Sequence, residues 1–129
     1  MKAFYAKNPD VVRLLISFSQ GAAVVKGALE LVSPKVRDKI ISVAFGPAAI
    51  IPSALCLKSY NYISKGDIVT LIADPLGIAL NRDCVYFVKR HPDAAPFPFD
   101  HAFQSPTYLE PLKNRIEDYM ENYGKKATL

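Results

Sequence analysis

The chain has 129 residues, half of them hydrophobic, which is enough for one domain with a buried core and excludes a mainly disordered chain. Its net charge of +4 comes from lysines and arginines scattered along the sequence, and no basic block with interleaved aromatic residues indicates a nucleic-acid partner. Cys56 and Cys84 lie in or beside apolar runs, so we expect buried reduced thiols, no metal site and no cofactor.

Residues 1–10 contain no long apolar run, so the sequence predicts no signal peptide and we expect a cytoplasmic protein. Residues 40–57 carry no charged side chain and come near the length of a short membrane span. Gly46, Pro47 and Pro52 interrupt this stretch, which favours a buried strand, a turn and a short second element over a membrane span.

The first predicted element is a continuous apolar strand over residues 11–17, the pattern of a parallel strand that is buried on both faces. It leads into Ser17-Phe18-Ser19-Gln20-Gly21, where the positions two before and two after Ser19 both hold small residues. This resembles the G-x-S-x-G turn that presents a serine hydroxyl between a strand and a helix, with Ser17 in place of the first glycine. Because such a turn crowds the flanking positions together, we expect large side chains there to prevent it from closing.

The remaining predicted elements alternate between helical segments and strands. The helical segments cover residues 20–32, 33–39, one turn within 46–55, 67–73, and a last helix that begins at Ser105-Pro106. The strands cover residues 40–45, 56–64 and 84–89, with loops over 74–77 and 91–104. The first helix is so apolar that we expect it to be covered on most sides, and the last has an apolar stripe of Leu109, Leu112, Ile116, Tyr119 or Met120, and Tyr123.

Strands separated by helical segments predict an α/β fold, with a partial parallel sheet of about four strands and right-handed crossovers. The whole chain, residues 1–129, is then one domain, with a frayed tail over residues 124–129.

Three side chains with the chemistry of nucleophilic catalysis follow predicted strands, where the reactive groups of an open parallel sheet gather. Ser19 follows the first strand, Asp67 the third, and His101 lies in the loop after the fourth. In this hypothesis His101 removes the proton of the Ser19 hydroxyl as it attacks a carbonyl, and Asp67 orients the imidazole. The backbone N–H of Gln20, at the start of a helix, donates to the developing oxyanion.

Each of these residues also has a purely structural interpretation. Ser19 and Asp67 each precede a helix and suit its N-cap, and His101 suits an ordinary loop position. Asp74 is a rival for the acid, and His91 is a rival for the base although it lies at the tight end of a strand. The order Ser, Asp, His and the common position after strands favour the three residues acting together.

The chain resembles the C-terminal half of an α/β-hydrolase, in local pattern the class 3 lipase-like branch, through Phe45-Gly46-Pro47 and Gly66-Asp67-Ile68-Val69. It also resembles an uncharacterised chlamydial family of hydrolase-like proteins, through residues 16–22 and 100–108. The likeness runs from Val11 to Tyr123 and implies a Ser-Asp-His triad of Ser19, Asp67 and His101.

The resemblance also implies that the chain is truncated relative to a complete hydrolase of this kind, which has about eight strands. The other half would supply the strand that pairs beside residues 11–17 and a second oxyanion N–H, so we expect a partner chain or missing half at that edge. The predicted function is therefore hydrolysis of a small-molecule ester or lipid, with a non-catalytic α/β fragment or interaction module as the alternative. A nucleotide site is disfavoured because the loop around Ser19 offers one glycine for a phosphate.

Overall fold

The computed structural model describes residues 10–124 and contains one four-stranded sheet flanked by helices. Its strands are β1 (Arg13–Phe18), β2 (Ile40–Phe45), β3 (Lys58–Ser64) and β4 (Val85–Val88), which lie in that spatial order. All neighbouring strands pair in parallel. The predicted α/β fold with a parallel sheet is thus confirmed. The predicted frayed tail lies outside the described residues except for Gly124.

Five α-helices connect and follow the strands of residues 10–124. They are α1 (Gln20–Leu31), α2 (Pro34–Arg37), α3 (Val69–Ala73), α4 (Pro75–Leu80) and α5 (Leu109–Asn122). Short 3₁₀ turns cover Ser53–Leu55, Arg82–Cys84 and Pro106–Tyr108. Within these residues no helix combines the length and apolarity that crossing a membrane requires. The uncharged stretch 40–57 instead folds as β2, a connection and a 3₁₀ turn, as predicted.

The sheet separates two hydrophobic clusters because alternate side chains of a strand face opposite sides. Every residue of β2 is buried, with Ala44 in the cluster that includes α1 and Phe45 in the cluster that includes Tyr108. Cys56 and Cys84 are both buried and free, as the sequence predicts. The site described below therefore rests on a sheet whose central strand is fully enclosed.

Two expectations about burial, for β1 and for α1, are wrong. Most of β1 is half-buried rather than buried, because among residues 10–124 it pairs with β2 alone and lies at the edge of the sheet. Helix α1 is covered on one side only, since it buries Ala22 and Leu29 but leaves Val24 and Leu31 72% and 89% exposed. Helical periodicity predicts the apolar positions of α1. It does not predict which of them are covered, and among residues 10–124 no element packs on the outer side of this helix.

The last helix also departs from its predicted stripe. Leu112, Tyr119 and Tyr123 pack against the core, and the Tyr119 hydroxyl donates to the Val12 carbonyl at 2.6 Å. With these side chains on the core, the remaining apolar row of the helix is exposed. That row is Leu109, Ile116 and Met120.

The predicted loop over residues 74–77 is wrong as well, because α4 begins there. The Asp74 carboxylate accepts from the Gly77 N–H at 3.0 Å and caps the helix, with Pro75 in its first turn. The Asp-Pro pair that suggested a loop is thus a helix start.

Candidate functional site

Ser19 occupies a strained turn between β1 and α1. Its φ of 52° is the only positive value of a non-glycine residue among residues 10–124, and such a conformation costs on the order of 1–3 kcal/mol. Backbone hydrogen bonds hold it: the Ser19 N–H donates to the Phe45 carbonyl at 3.1 Å, and the Ser19 carbonyl accepts from Ala22 and Ala48. The turn is therefore fixed to β2 as well as to its own helix.

The hydroxyl of Ser19 does not cap α1, although the residue stands at the N-cap position. Its Oγ lies 2.9 Å from Nε2 of His101, a residue 82 positions away in the chain. The structural interpretation of Ser19 as a helix cap is therefore wrong. The turn presents the hydroxyl to an imidazole instead.

The other ring nitrogen of His101 bonds Asp67. Nδ1 lies 2.6 Å from Oδ2 of Asp67. An ionised carboxylate only accepts hydrogen bonds, so Nδ1 carries the proton of the neutral ring and Nε2 accepts from the Ser19 hydroxyl. Hydroxyl, imidazole and carboxylate thus form one continuous line of hydrogen bonds.

Asp67 is fixed in place by its own loop. Its side chain has no solvent exposure, against 18% for that of His101. Oδ1 accepts from the Val69 N–H at 2.7 Å, which leaves Oδ2 for the imidazole. The N-cap of α3 is Ile68, which has no side-chain cap bond, so the structural interpretation of Asp67 as an N-cap is wrong. One carboxylate oxygen of Asp67 fixes the loop before α3, and the other bonds His101.

Gly46 makes room for the imidazole. A Cβ at this position would lie 3.1 Å from both Cε1 and Nδ1 of His101 and 3.3 Å from Oδ2 of Asp67. Its φ of 52° also favours glycine. The Phe45-Gly46-Pro47 motif is visible in the sequence but by itself predicts no role for Gly46 in the site. A glycine directly after a buried strand that neighbours the serine strand is the signal that could have found it.

A phenylalanine ring packs beside the imidazole, and a second ring packs on the first. The ring centroid of Phe18 lies 4.9 Å from that of His101, and the Phe103 ring meets Phe18 edge-on at 5.9 Å. Phe103 is 44% exposed, so one side of the site presents apolar surface to solvent. Neither ring is predicted from the sequence to belong to the site.

The small residues that flank Ser19 are less crowded than expected. A Cβ at Gly21 would lie 3.9 Å from Cβ of Ser17, an ordinary van der Waals contact. Alanine therefore fits at position 21, and the expectation that large side chains prevent the turn from closing stays a prediction. The Ser17 hydroxyl is buried without a hydrogen-bond partner in the described part of the chain.

Gln20 stands where the sequence analysis placed it, at the first position of α1. The backbone N–H of a first helical residue has no acceptor within its helix, and the positive end of the helix dipole lies there. Both features suit an N–H that stabilises negative charge beside Ser19.

The rival acid and base lie elsewhere. The Asp74 carboxylate is occupied by the N–H groups of Gly77 and Ile50, at 3.0 and 2.8 Å. His91 is exposed, and its Nδ1 accepts from the Asp93 N–H at 3.0 Å. The structure thus brings Ser19, Asp67 and His101 together and leaves Asp74 and His91 outside the group.

Other reactive chemistry is scarce near these residues. Burial raises the pKa of both the Cys56 and the Cys84 thiol, which disfavours the reactive thiolate. Within residues 10–124 no three His, Cys, Asp or Glu side chains are grouped so that they could hold a metal ion. The Ser19 hydroxyl, in contrast, bonds the imidazole of His101.

Comparison of the chain with protein-family models, curated proteins and solved structures finds no match. The resemblance to α/β-hydrolases therefore stays a prediction from short motifs. A functional interpretation has to be built on the geometry of the site itself.

Proposed function

We propose that the protein is a serine hydrolase that cleaves a carboxylic ester by a Ser19–His101–Asp67 triad. The observation that carries this proposal is the unbroken hydrogen-bonded line from the hydroxyl through the imidazole to the buried carboxylate, at 2.9 and 2.6 Å. Lines of this kind perform acyl transfer on several unrelated folds, so the proposal depends on geometry and not on ancestry.

In the first step Ser19 Oγ attacks the carbonyl carbon of the ester while its proton passes to Nε2 of His101. Asp67 stabilises the imidazolium that forms and holds the ring with Nε2 toward Ser19. The tetrahedral intermediate then collapses. The bond to the leaving alcohol breaks, and the imidazolium returns its proton to the alcohol oxygen.

The second step removes the acyl group from Ser19. A water molecule gives a proton to Nε2 of His101 as its oxygen attacks the acyl carbon. Collapse of the second intermediate releases the carboxylic acid and restores the serine hydroxyl with the proton held by His101. The net reaction consumes one ester and one water and yields one alcohol and one acid.

Negative charge on the tetrahedral oxygen is stabilised by the N–H of Gln20 at the start of α1. A second donor is supplied by an element that covers the open edge of β1, either another part of a longer protein or a partner chain. Loss of one such donor lowers turnover by about 10²–10³ in a well-studied protease. We therefore expect slow turnover from this chain by itself.

The phenylalanines beside His101 favour an apolar acyl group. Phe18 provides ring surface next to the imidazole, and Phe103, which meets Phe18 edge-on, is partly exposed. An alkyl chain that covers this surface gains about 25 cal/mol per Å² removed from water. Small-molecule esters and lipids both carry such a group.

A fluorophosphonate probe tests the proposal, because it phosphonylates only an activated serine and releases fluoride. We expect labelling of the folded wild type at Ser19, with loss in Ser19→Ala and in His101→Ala. Ser33→Ala is the matched control, since Ser33 is exposed and makes no side-chain cap bond. Absence of labelling in the folded wild type would favour the alternative, a non-catalytic module.

One observation favours that alternative. The outer edge of β1 is unpaired among residues 10–124, and its apolar side chains Leu14, Leu15 and Ile16 are only half-buried. An unpaired apolar strand is a template for pairing with another chain. The module would then bind another chain through this edge, and Ser19 would take no part in catalysis.

A further inference from the structure

Asp100 precedes His101 and is buried almost completely, with 1% of its surface exposed. Its backbone lies against the loop that carries Asp67. The Asp100 N–H donates to the Gly66 carbonyl at 3.0 Å, and Phe99 pairs with Asp67 in an isolated antiparallel bridge. The two loops that hold the acid and the base are therefore joined directly.

The Asp100 carboxylate accepts hydrogen bonds from three hydroxyl groups. Oδ2 accepts from Ser64 Oγ and from Thr107 Oγ1, the latter at 2.6 Å, and Oδ1 accepts from Ser105 Oγ at 2.5 Å. Burial alone would raise the pKa of Asp100, but the hydroxyls of Ser105, Ser64 and Thr107 outweigh it and hold that pKa below its ordinary value. The carboxylate is thus a fully satisfied buried charge.

These donors come from different parts of the fold. Ser64 is the last residue of β3, whereas Ser105 and Thr107 belong to the turn that precedes α5. The Thr107 hydroxyl oxygen also accepts from the His91 N–H, beyond the end of β4, at 3.0 Å. One carboxylate therefore ties the loop of His101 to two strand ends and to the last helix.

We propose that Asp100 is the positioning residue for His101, and that its carboxylate holds the imidazole within reach of both Ser19 and Asp67. The proposal rests on the proposed function of Ser19, because only catalysis demands this placement. Asp100 touches no reacting atom and acts through the peptide that it shares with His101. Loss of the carboxylate leaves three buried hydroxyls without their acceptor and releases the loop from β3.

The effect on reactivity is large because proton transfer depends steeply on distance. A misplacement of about 1 Å costs on the order of 10²-fold in rate. We expect Asp100→Ala to lower the rate of fluorophosphonate labelling at Ser19 by about that factor. Asp100→Asn retains one carbonyl acceptor and is expected to recover part of the rate. Asp93→Asn, an exposed change in the same loop, leaves the rate unchanged.

A second readout separates positioning from general damage to the fold. The Nδ1 proton of His101 gives a downfield proton resonance while it is held between nitrogen and the Asp67 carboxylate. We expect this resonance in the wild type and in Asp93→Asn, and its loss in Asp100→Ala at a temperature where circular dichroism shows an intact fold. Labelling at the wild-type rate together with an unchanged resonance in folded Asp100→Ala would overturn the proposal.

If Asp100→Ala does not fold, Asp100→Asn and Thr107→Val carry the test. Each weakens the cluster with little change of shape, and a wild-type rate and resonance in both would overturn the proposal. A wild type that shows the resonance but is never labelled would refute the proposed hydrolase. The resonance in the Asp100 variants would still decide whether Asp100 positions His101.

Discussion

Gly46 and His101 approach so closely that a side chain at position 46 would contact the imidazole. A Cβ there would lie 3.1 Å from both Nδ1 and Cε1 of the ring, tighter than most contacts of this kind. The glycine follows the last residue of β2, and β2 pairs with the strand that leads to Ser19. The central strand thus ends in a gap that the imidazole fills.

Gly46→Ala is therefore expected to displace the imidazole from Ser19 and Asp67. The methyl group must push the ring aside, and the positive φ adds roughly 1–2 kcal/mol of backbone strain. We expect the rate of fluorophosphonate labelling to fall, by less than the ~10²-fold that a misplacement of about 1 Å costs. We expect the free energy of unfolding in urea to fall by roughly 1–2 kcal/mol. Gly27→Ala is the control, because a Cβ there has no neighbour within 4 Å. Equal labelling of wild type and Gly46→Ala would refute this role.

Substitutions of Asp67 and Asp74 are expected to differ in effect: the first lowers the labelling rate, and the second lowers the free energy of unfolding. Asp67→Asn keeps the size of the side chain but lets the amide donate to Nδ1, which places the wrong tautomer beside Ser19 and lowers the labelling rate by up to ~10⁴-fold. Asp74→Ala removes the cap of α4 and lowers the free energy of unfolding by about 1 kcal/mol. Labelling kinetics and urea unfolding of both variants check this. The reverse pattern would reassign the acid.

Tyr108 is expected to make stability fall in strong alkali. Burial raises the pKa of this phenol, so the folded state holds its proton more tightly than the unfolded state does. The contribution is fully present below the unfolded pKa of about 10 and is lost as the pH rises above it. Burial raises the pKa of Tyr62 with the same sign. Between pH 8 and pH 11, on either side of the ordinary tyrosine pKa of about 10, the free energy of unfolding in urea is predicted to decline less steeply for Tyr108→Phe than for the wild type. Equal slopes would contradict this.

A charged substitution at Leu15, which packs on the core, and one at Leu31, which is exposed, test the packing of β1 and α1. Leu15 packs on the cluster between the sheet and α1, so Leu15→Asp places a charge against apolar surface and is expected to abolish folding. Leu31→Asp makes the same chemical change at a side chain that is 89% exposed and is expected to be tolerated. Circular dichroism and solubility distinguish them. A folded Leu15→Asp would contradict the packing described for β1.

Much of the fold could be predicted because β2 is an apolar run with one polar residue, Ser42, and helical segments separate the strands. The position of β2 was predicted to the residue, since the uncharged stretch begins at its first residue and glycine follows its last. The start of α4 was missed because Asp74-Pro75 suits both a turn and a capped helix. The bond from the Gly77 N–H to the Asp74 carboxylate, which marks the helix start, appears only in the structure.

The three central residues of the site could be predicted because each follows a strand of a parallel sheet, and those strand ends share one edge. The roles of Gly46 and Asp100 could not, because they depend on the distance between loops that are far apart in the chain. In the sequence, Asp100 has the pattern of a solvated loop residue. Only the structure shows that Ser64, Ser105 and Thr107 donate to its carboxylate.

The most direct measurement is the mass of the protein during turnover of a p-nitrophenyl ester, followed by peptide mapping. The proposed mechanism predicts a transient acyl adduct on Ser19 that water removes, and no adduct in Ser19→Ala. His101→Ala is expected to reduce formation of the adduct, whereas Ser33→Ala forms it as the wild type does. Release of p-nitrophenol without an adduct, or an adduct on a residue other than Ser19, would contradict the mechanism.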